Sequence, residues 1–225
     1  MAKNKLRRFS EMKEWSNCFE PTLDVLTPDH FPLKGNWNRD YFKNEHPIIL
    51  ELGCGKGEYT VGLANHFPDK NHIGVDIKGA RIWVGAGEAI QNEMKNVAFL
   101  RAKIDFINHY FVKNEIDEIW LTFSDPQPMK PRKRLTSLDF IERYRQILKP
   151  GGIIHLKTDS DLLFESTLEE IETHKYSLLE STWDLYNEMN PDLDATTKEI
   201  LHIKTHYENL FVSKGSVIKY CKFKI

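Results

Sequence analysis

The sequence predicts an α/β domain: a mostly parallel central sheet with helices on both faces. Two observations predict it. From residue 48 onward, short β-branched or apolar runs alternate with amphipathic stretches long enough for helices, the rhythm of strands joined by crossovers. A glycine-rich loop, Gly53-Cys54-Gly55-Lys56-Gly57, also falls between the first such strand and the helix after it, and an acid closes the next strand. In open parallel sheets that is where ligands are held. The 225 residues suffice for one domain, divided here into an N-terminal extension (1–46) and the domain proper (47–225).

Each element follows in order. Ile48 to Leu52 is the first strand, Tyr59 to Phe67 a helix stopped by Pro68, and His72 to Asp76 the next strand. Arg81 to Met94 is a helix, with Ile82, Ala86, Ile90 and Met94 recurring every four residues. Val97 to Leu100 reads as a strand, Phe106 to Phe111 as a short helix, and Glu118 to Phe123 as a strand ending at Asp125-Pro126. A loop rich in proline and basic residues leads into an amphipathic helix from Ser137 to Leu148, ended by Pro150-Gly151-Gly152. Ile153 to Lys157 is the next strand, Leu162 to Ile171 a helix, and Ser177 to Trp183 and Val217 to Phe223 the last strands. Residues 184–215 read as polar and irregular, and residues 1–46 yield only a short helix around Phe9 to Asn17.

Lys plus Arg number 31 against 33 for Asp plus Glu, so no global positive field marks a nucleic-acid binder. Any such site must be local. Two basic clusters qualify: Lys3, Lys5, Arg7 and Arg8, and Lys130, Arg132, Lys133 and Arg134. Cys18, Cys54 and Cys221 show no paired spacing, which predicts free thiols and no metal site. No signal peptide or long apolar run is present, and the expected setting is the cytoplasm, with no membrane partner.

Three nucleotide-loop readings compete for the glycines. A P-loop fails because Gly55-Lys56 runs into Gly57 rather than Ser or Thr, and a dinucleotide fingerprint wants its third glycine one residue later. That spacing also rules out a nicotinamide oxidoreductase. The acid followed by Gly53, Gly55 and Gly57 instead resembles the loop of class I methyltransferases, with a Rossmann-like fold. Their methyl donor, S-adenosylmethionine, carries an amino-acid tail and a sulfonium. Glu51 would hold the tail's ammonium, directly or through water, and Asp76, nineteen positions beyond Gly57, would accept hydrogen bonds from the ribose hydroxyls.

Further motifs narrow the resemblance. Phe123-Ser124-Asp125-Pro126, the basic run Lys130 to Leu135, Pro150-Gly151-Gly152, His155-Leu156-Lys157-Thr158-Asp159 and Thr205-His206-Tyr207-Glu208 occur in the order seen in tRNA (guanine-N7-)-methyltransferases. The resemblance covers most of the chain and implies transfer of a methyl group to N7 of a guanine in tRNA, in the variable loop, by a monomer or homodimer. It implies cofactor contacts at Glu51, Gly53, Gly55, Gly57, Asp76 and Asp125, with Asp125 catalytic where cofactor and base meet. Substrate contacts are implied at Lys130, Arg132, Lys133, Arg134, Asp159, Thr205 and Glu208. Lys103 stands where the family has an acidic or amide residue, so adenine would be held by backbone around Lys103 and Ile104 or by Asp105. A methyltransferase acting on a small molecule or protein is the alternative, since fold alone does not settle substrate.

Overall fold

A computed structural model describes residues 2–21 and 31–225; the side chains of Lys3 and Lys5 lie outside what is described. Among the described residues, eight strands form one sheet: β1 (Cys18–Phe19), β2 (Ile48–Leu52), β3 (Asn71–Asp76), β4 (Val97–Arg101), β5 (Ile116–Thr122), β6 (Leu148–Thr158), β7 (Ser177–Thr182) and β8 (Lys219–Lys224). Their order is β1-β4-β3-β2-β5-β6-β8-β7. Strands β1 to β6 pair in parallel, while β8 runs antiparallel to both β6 and β7. The helices are α1 (Ala2–Glu14), α2 (Glu58–His66), α3 (Gly79–Gln91), α4 (Leu138–Tyr144), α5 (Asp161–Thr173), α6 (Ala195–Leu201) and α7 (His206–Val212).

Every residue of β2 is buried, as a strand covered on both faces requires. Alternation along it separates two cores. Ile48, Leu50 and Leu52 join Phe140, Ile141 and Tyr144 of α4 and Leu163 and Phe164 of α5. Ile49 faces the other way, toward Tyr59 and Leu63 of α2 and Leu201 of α6. Strand β2 has β3 on one side and β5 on the other, so successive crossovers diverge there and open a crevice at the strands' carboxyl ends. At the start of α2, Gly57 has φ 76°, and a Cβ added to it would lie 2.6 Å from Phe99 Cε1. Only glycine lets α2 sit this close to β4.

Three segments depart from the sequence reading. The helix expected from Ser137 to Leu148 ends at Tyr144, because Ile147 N bonds back to Tyr144 O while Ile147 O accepts from Ile116 N. That pairing starts β6 at Leu148, and the Pro150-Gly151-Gly152 stretch lies inside the strand at an irregularity in its register with β5. The segment read as irregular contains α6 and α7, each seven residues long and each capped by a side chain: Asp194 accepts from Thr197 N and Thr205 from Glu208 N. Before residue 47, Cys18–Phe19 extends the sheet edge beside β4, and a turn of π-helix at Trp37–Phe42 buries Trp37, whose Nε1 donates to Tyr110 O at 3.1 Å. No helix among the described residues is long and apolar enough to cross a membrane.

Candidate active site

The crevice is an open cleft of about 920 Å³, at the upper end of the range that small-molecule sites occupy. Its lining comes from the ends of β2, β3, β4, β5 and β6 and from α7. On one side lies the glycine loop. Asp76 Oδ2 accepts from Gly55 N at 3.0 Å and Oδ1 from Lys78 N at 2.8 Å, which ties the loop to the end of β3 and leaves each oxygen a lone pair. A Cβ built on Gly53 or Gly55 meets nothing within 4 Å, so the backbone at both is bare toward open space. Ala102, Lys103, Ile104 and Asp105 continue this wall.

Glu51 sits beneath the loop rather than in the cleft. It is 2% exposed, its Oε2 accepts from Thr60 N at 2.8 Å and from the Thr60 hydroxyl, and its Oε1 accepts from the Thr122 hydroxyl. Burial raises its carboxyl to about 7, against the lowering effect of these hydrogen bonds. Gly57 likewise packs against Phe99 and is not part of the lining.

The opposite wall begins where β5 ends. Phe123 turns out of the sheet with φ 51°, its N–H still donating to Lys157 O at 2.8 Å, and Gln127 has φ 45°. Left-handed backbone at two non-glycine residues costs roughly 1–3 kcal/mol each and concentrates at functional turns. Between them Asp125 is exposed to the cleft, with Oδ1 accepting from Gln127 N at 2.9 Å. The Ser124 hydroxyl beside it is buried without a partner. Asp159, half-buried at the end of β6, lines the cleft, and burial raises its carboxyl above the ordinary carboxylate value. Thr205 reaches the lining as the N-cap of α7. Glu208 does not: it is fully buried, with Oε2 at 3.0 Å from Lys157 Nζ and Oε1 accepting from Tyr186 OH.

The basic loop is divided in the same way. Lys130 and Lys133 line the cleft, and Lys133 pairs with Asp105 at 2.5 Å. Arg132 points outward onto Asp139. Arg134 is buried, its Nε donating to Pro126 O at 3.0 Å, which fastens the loop to the Asp125-Pro126 turn. Given no site role in the sequence reading are Lys56, Lys78 and Arg81, which line the cleft and have no carboxylate within ion-pair distance among the described residues. The Arg81 guanidinium stands 5.0 Å over the Tyr207 ring. A signal existed: Arg81 lies in the first turn of α3, where the helix dipole disfavours a cation.

A family profile described as a putative methyltransferase matches residues 45–221. The tRNA (guanine-N(7)-)-methyltransferase of Bacteroides thetaiotaomicron is 51% identical over 225 residues, covering 100% of this chain and 87% of that protein. The protein of that name from Christiangramia forsetii is 48% identical over 227 residues, covering 100% of this chain and 99% of its own. This chain belongs to the tRNA (guanine-N(7)-)-methyltransferase family. It is a methyltransferase, as its strand-end motifs imply. The fold agrees: the crystal structure of the 16S rRNA methyltransferase KamB superposes with a TM-score of 0.62 at 12% identity, covering 88% of this chain and 97% of that one. A 16S rRNA (adenine(1408)-N(1))-methyltransferase from Catenulisporales acidiphilia gives 0.58 at 13% identity, over 88% and 95% of the two chains. The expected class I architecture is therefore found in this tRNA (guanine-N(7)-)-methyltransferase family member.

Proposed function

We propose that this chain transfers a methyl group from S-adenosylmethionine to N7 of a guanine in the variable loop of tRNA, in the cytoplasm. One observation carries the reading. A single cleft is lined by the bare glycine backbone, Asp76, Asp125, Asp159 and Thr205, together with Lys56, Lys78, Arg81 and Lys130, none of which pairs with a carboxylate among the described residues. Bound S-adenosylmethionine supplies an electrophilic methyl on a sulfonium. The residues present fit it: Gly53 and Gly55 leave space for close approach, Asp76 keeps lone pairs for ribose hydroxyls, and the 102–105 backbone would flank adenine. Glu51 contributes from below, by fixing the N-terminus of α2 through Thr60 and the end of β5 through Thr122.

Guanine N7 has an in-plane lone pair and no proton to lose, so no general base is required. Alignment and charge are the remaining levers. Holding the base in line for attack supplies roughly 7–11 kcal/mol in favourable systems. Asp125, at the mouth of the β2–β5 crevice, stabilises positive charge as it passes to the purine, and its Gln127 N–H bond holds the carboxylate in place. Asp159 accepts from the donors on the guanine Watson–Crick edge, and Thr205 borders the same space. Lys130, Lys133, Lys56, Lys78 and Arg81, all in the lining, contact phosphates while the base is turned out of its stack. Arg132 serves at the loop's outer edge and Arg134 holds the loop's shape.

The test is incubation with methyl-labelled S-adenosylmethionine and unmodified tRNA, followed by nucleoside analysis and mapping of the modified position. N7-methylguanosine in the variable loop is expected. Label in another nucleoside, or in protein, overturns the reading.

A further inference from the structure

Lys157 is fully buried at the carboxyl end of β6, one residue before its last, an unusual location for an ammonium. All three of its donors are matched. Nζ lies 2.8 Å from Leu201 O, 3.0 Å from Ile203 O and 3.0 Å from Glu208 Oε2. The rings of Tyr59, Phe123 and Tyr186 surround it with centroids 5.4, 5.9 and 5.7 Å away. All three acceptors come from one stretch of chain: the end of α6, the link after it, and α7. That stretch also carries Thr205 and Tyr207 into the cleft. Glu208 is itself fixed on two further sides, by Tyr186 OH and by the Thr205 hydroxyl that accepts its N–H.

Lys157 thus stands where three parts of the site meet. Asp159 follows it by two residues, just past the end of the strand, and the Lys157 carbonyl receives Phe123 N–H at the turn that presents Asp125. Its ammonium grips the C-terminal segment. A buried ion pair is a poor stabiliser, since packed apolar side chains of equal volume often do as well or better. Three directed hydrogen bonds instead fix one register between the segment and the strand, which an apolar contact would not specify.

We propose that Lys157 is a positioning residue for methyl transfer, acting through Glu208 to hold the 205–211 segment against the strand ends that carry Asp125 and Asp159. Glu208 then serves the guanine pocket from behind its wall. The inference rests on the tRNA reading above only for the identity of the substrate.

The experiment compares Lys157→Met, Glu208→Gln and the double variant with wild type, as full-length chains. Lys157→Met should raise the KM for tRNA and lower kcat, reducing kcat/KM at least about tenfold, while the Kd for S-adenosylmethionine stays within about twofold. The double variant should be no worse than the more affected single one, because both remove the same unit. Hydrogen exchange with S-adenosylmethionine bound should accelerate across residues 201–212 and not across β2 or β5. Tyr186→Phe, which removes one partner of Glu208 and leaves the ion pair, should shift exchange and KM in the same direction by less, and stands in if Lys157→Met does not fold. A folded Lys157→Met with wild-type kcat/KM and wild-type exchange in 201–212 overturns the proposal, as do additive losses in the double variant. Failure of the wild type to methylate guanine would sink the substrate reading alone, since the exchange measurement needs no RNA.

Discussion

Two glycines of one loop should fail in opposite ways when each is replaced by alanine. At Gly57 the new Cβ would stand 2.6 and 2.7 Å from Phe99 Cε1 and Cζ and 3.3 Å from Gly85 Cα, with Phe99 itself fully buried. The left-handed backbone costs an alanine about 1–2 kcal/mol. Overpacking a dense core adds about 1–3 kcal/mol, so Gly57→Ala should lose roughly 2–5 kcal/mol in all. For a chain of this length that lowers Tm by roughly 4–20 °C. At Gly55, with φ 57°, nothing lies within 4 Å of the added Cβ, so only the backbone cost of about 1–2 kcal/mol applies. The methyl instead enters the cleft, and the Kd for S-adenosylmethionine should rise at least tenfold, about 1.4 kcal/mol. Scanning calorimetry with and without S-adenosylmethionine separates the two. At 100 times Kd, wild type gains about 2.7 kcal/mol. Gly57→Ala should melt early and keep that increment, whereas Gly55→Ala should lose roughly 2–8 °C for its backbone alone and much of the increment as well. Wild-type cofactor affinity in Gly55→Ala would refute the reading that the loop backbone cradles the ligand, and an unchanged Tm in Gly57→Ala would show that Phe99 yields.

Asp76→Ala should raise the Kd for S-adenosylmethionine by the loss of charge-assisted hydrogen bonds, about 1.5–3 kcal/mol, and loosen Gly55, while tRNA affinity measured by filter binding hardly moves. Asp125→Asn retains an acceptor for Gln127 N–H but removes the charge, so single-turnover methylation should slow by about 10²-fold or more with both affinities nearly intact; a wild-type rate would end its electrostatic role. Lys78→Ala and Arg81→Ala should each weaken tRNA binding and flatten its salt dependence more than Arg132→Ala, because Arg132 is already paired with Asp139; equal slopes would contradict a phosphate role for the cleft-lining cations. Glu51, raised from the ordinary 4.5 to about 7, binds its proton more tightly in the folded chain than in the unfolded one. Its contribution is therefore fully present below about pH 4.5 and is lost as pH rises through about 7, so Glu51→Gln should flatten the fall in cofactor-free stability across that window in urea titrations.

The parts of the fold legible in the sequence are those where one period dominates. The apolar runs of β2, β3 and β5 are covered on both faces and leave little choice but a buried strand. The site's acids at strand ends were legible for a related reason, since parallel topology gathers carboxyl ends regardless of loop detail. The boundary between α4 and β6 was not, because the helical period of Ile141, Tyr144 and Leu148 continues into residues that pair with β5. Helices α6 and α7 are too short to show a period and are marked only by their caps.

Which way an acid faces was readable, but only by combining levels. Alternation along β2 sends Leu50 and Leu52 to the α4 and α5 side, so Glu51 must share the opposite face with Ile49, beneath the start of α2. Glu208, on a helix, has no such rule. Thr205 and Glu208 have the spacing of an N-cap and the third helical residue, which marks the start of α7 but leaves open that Glu208 is buried. A lysine in a strand end buried at every position from Ile154 to Thr158 must find an anion or lose its charge. Lys157 thus predicts a buried partner of opposite sign, and Glu208 supplies it. What no local pattern could supply is that they are partners of each other: the antiparallel return of β8 beside β6 is what brings the segment before it over the site.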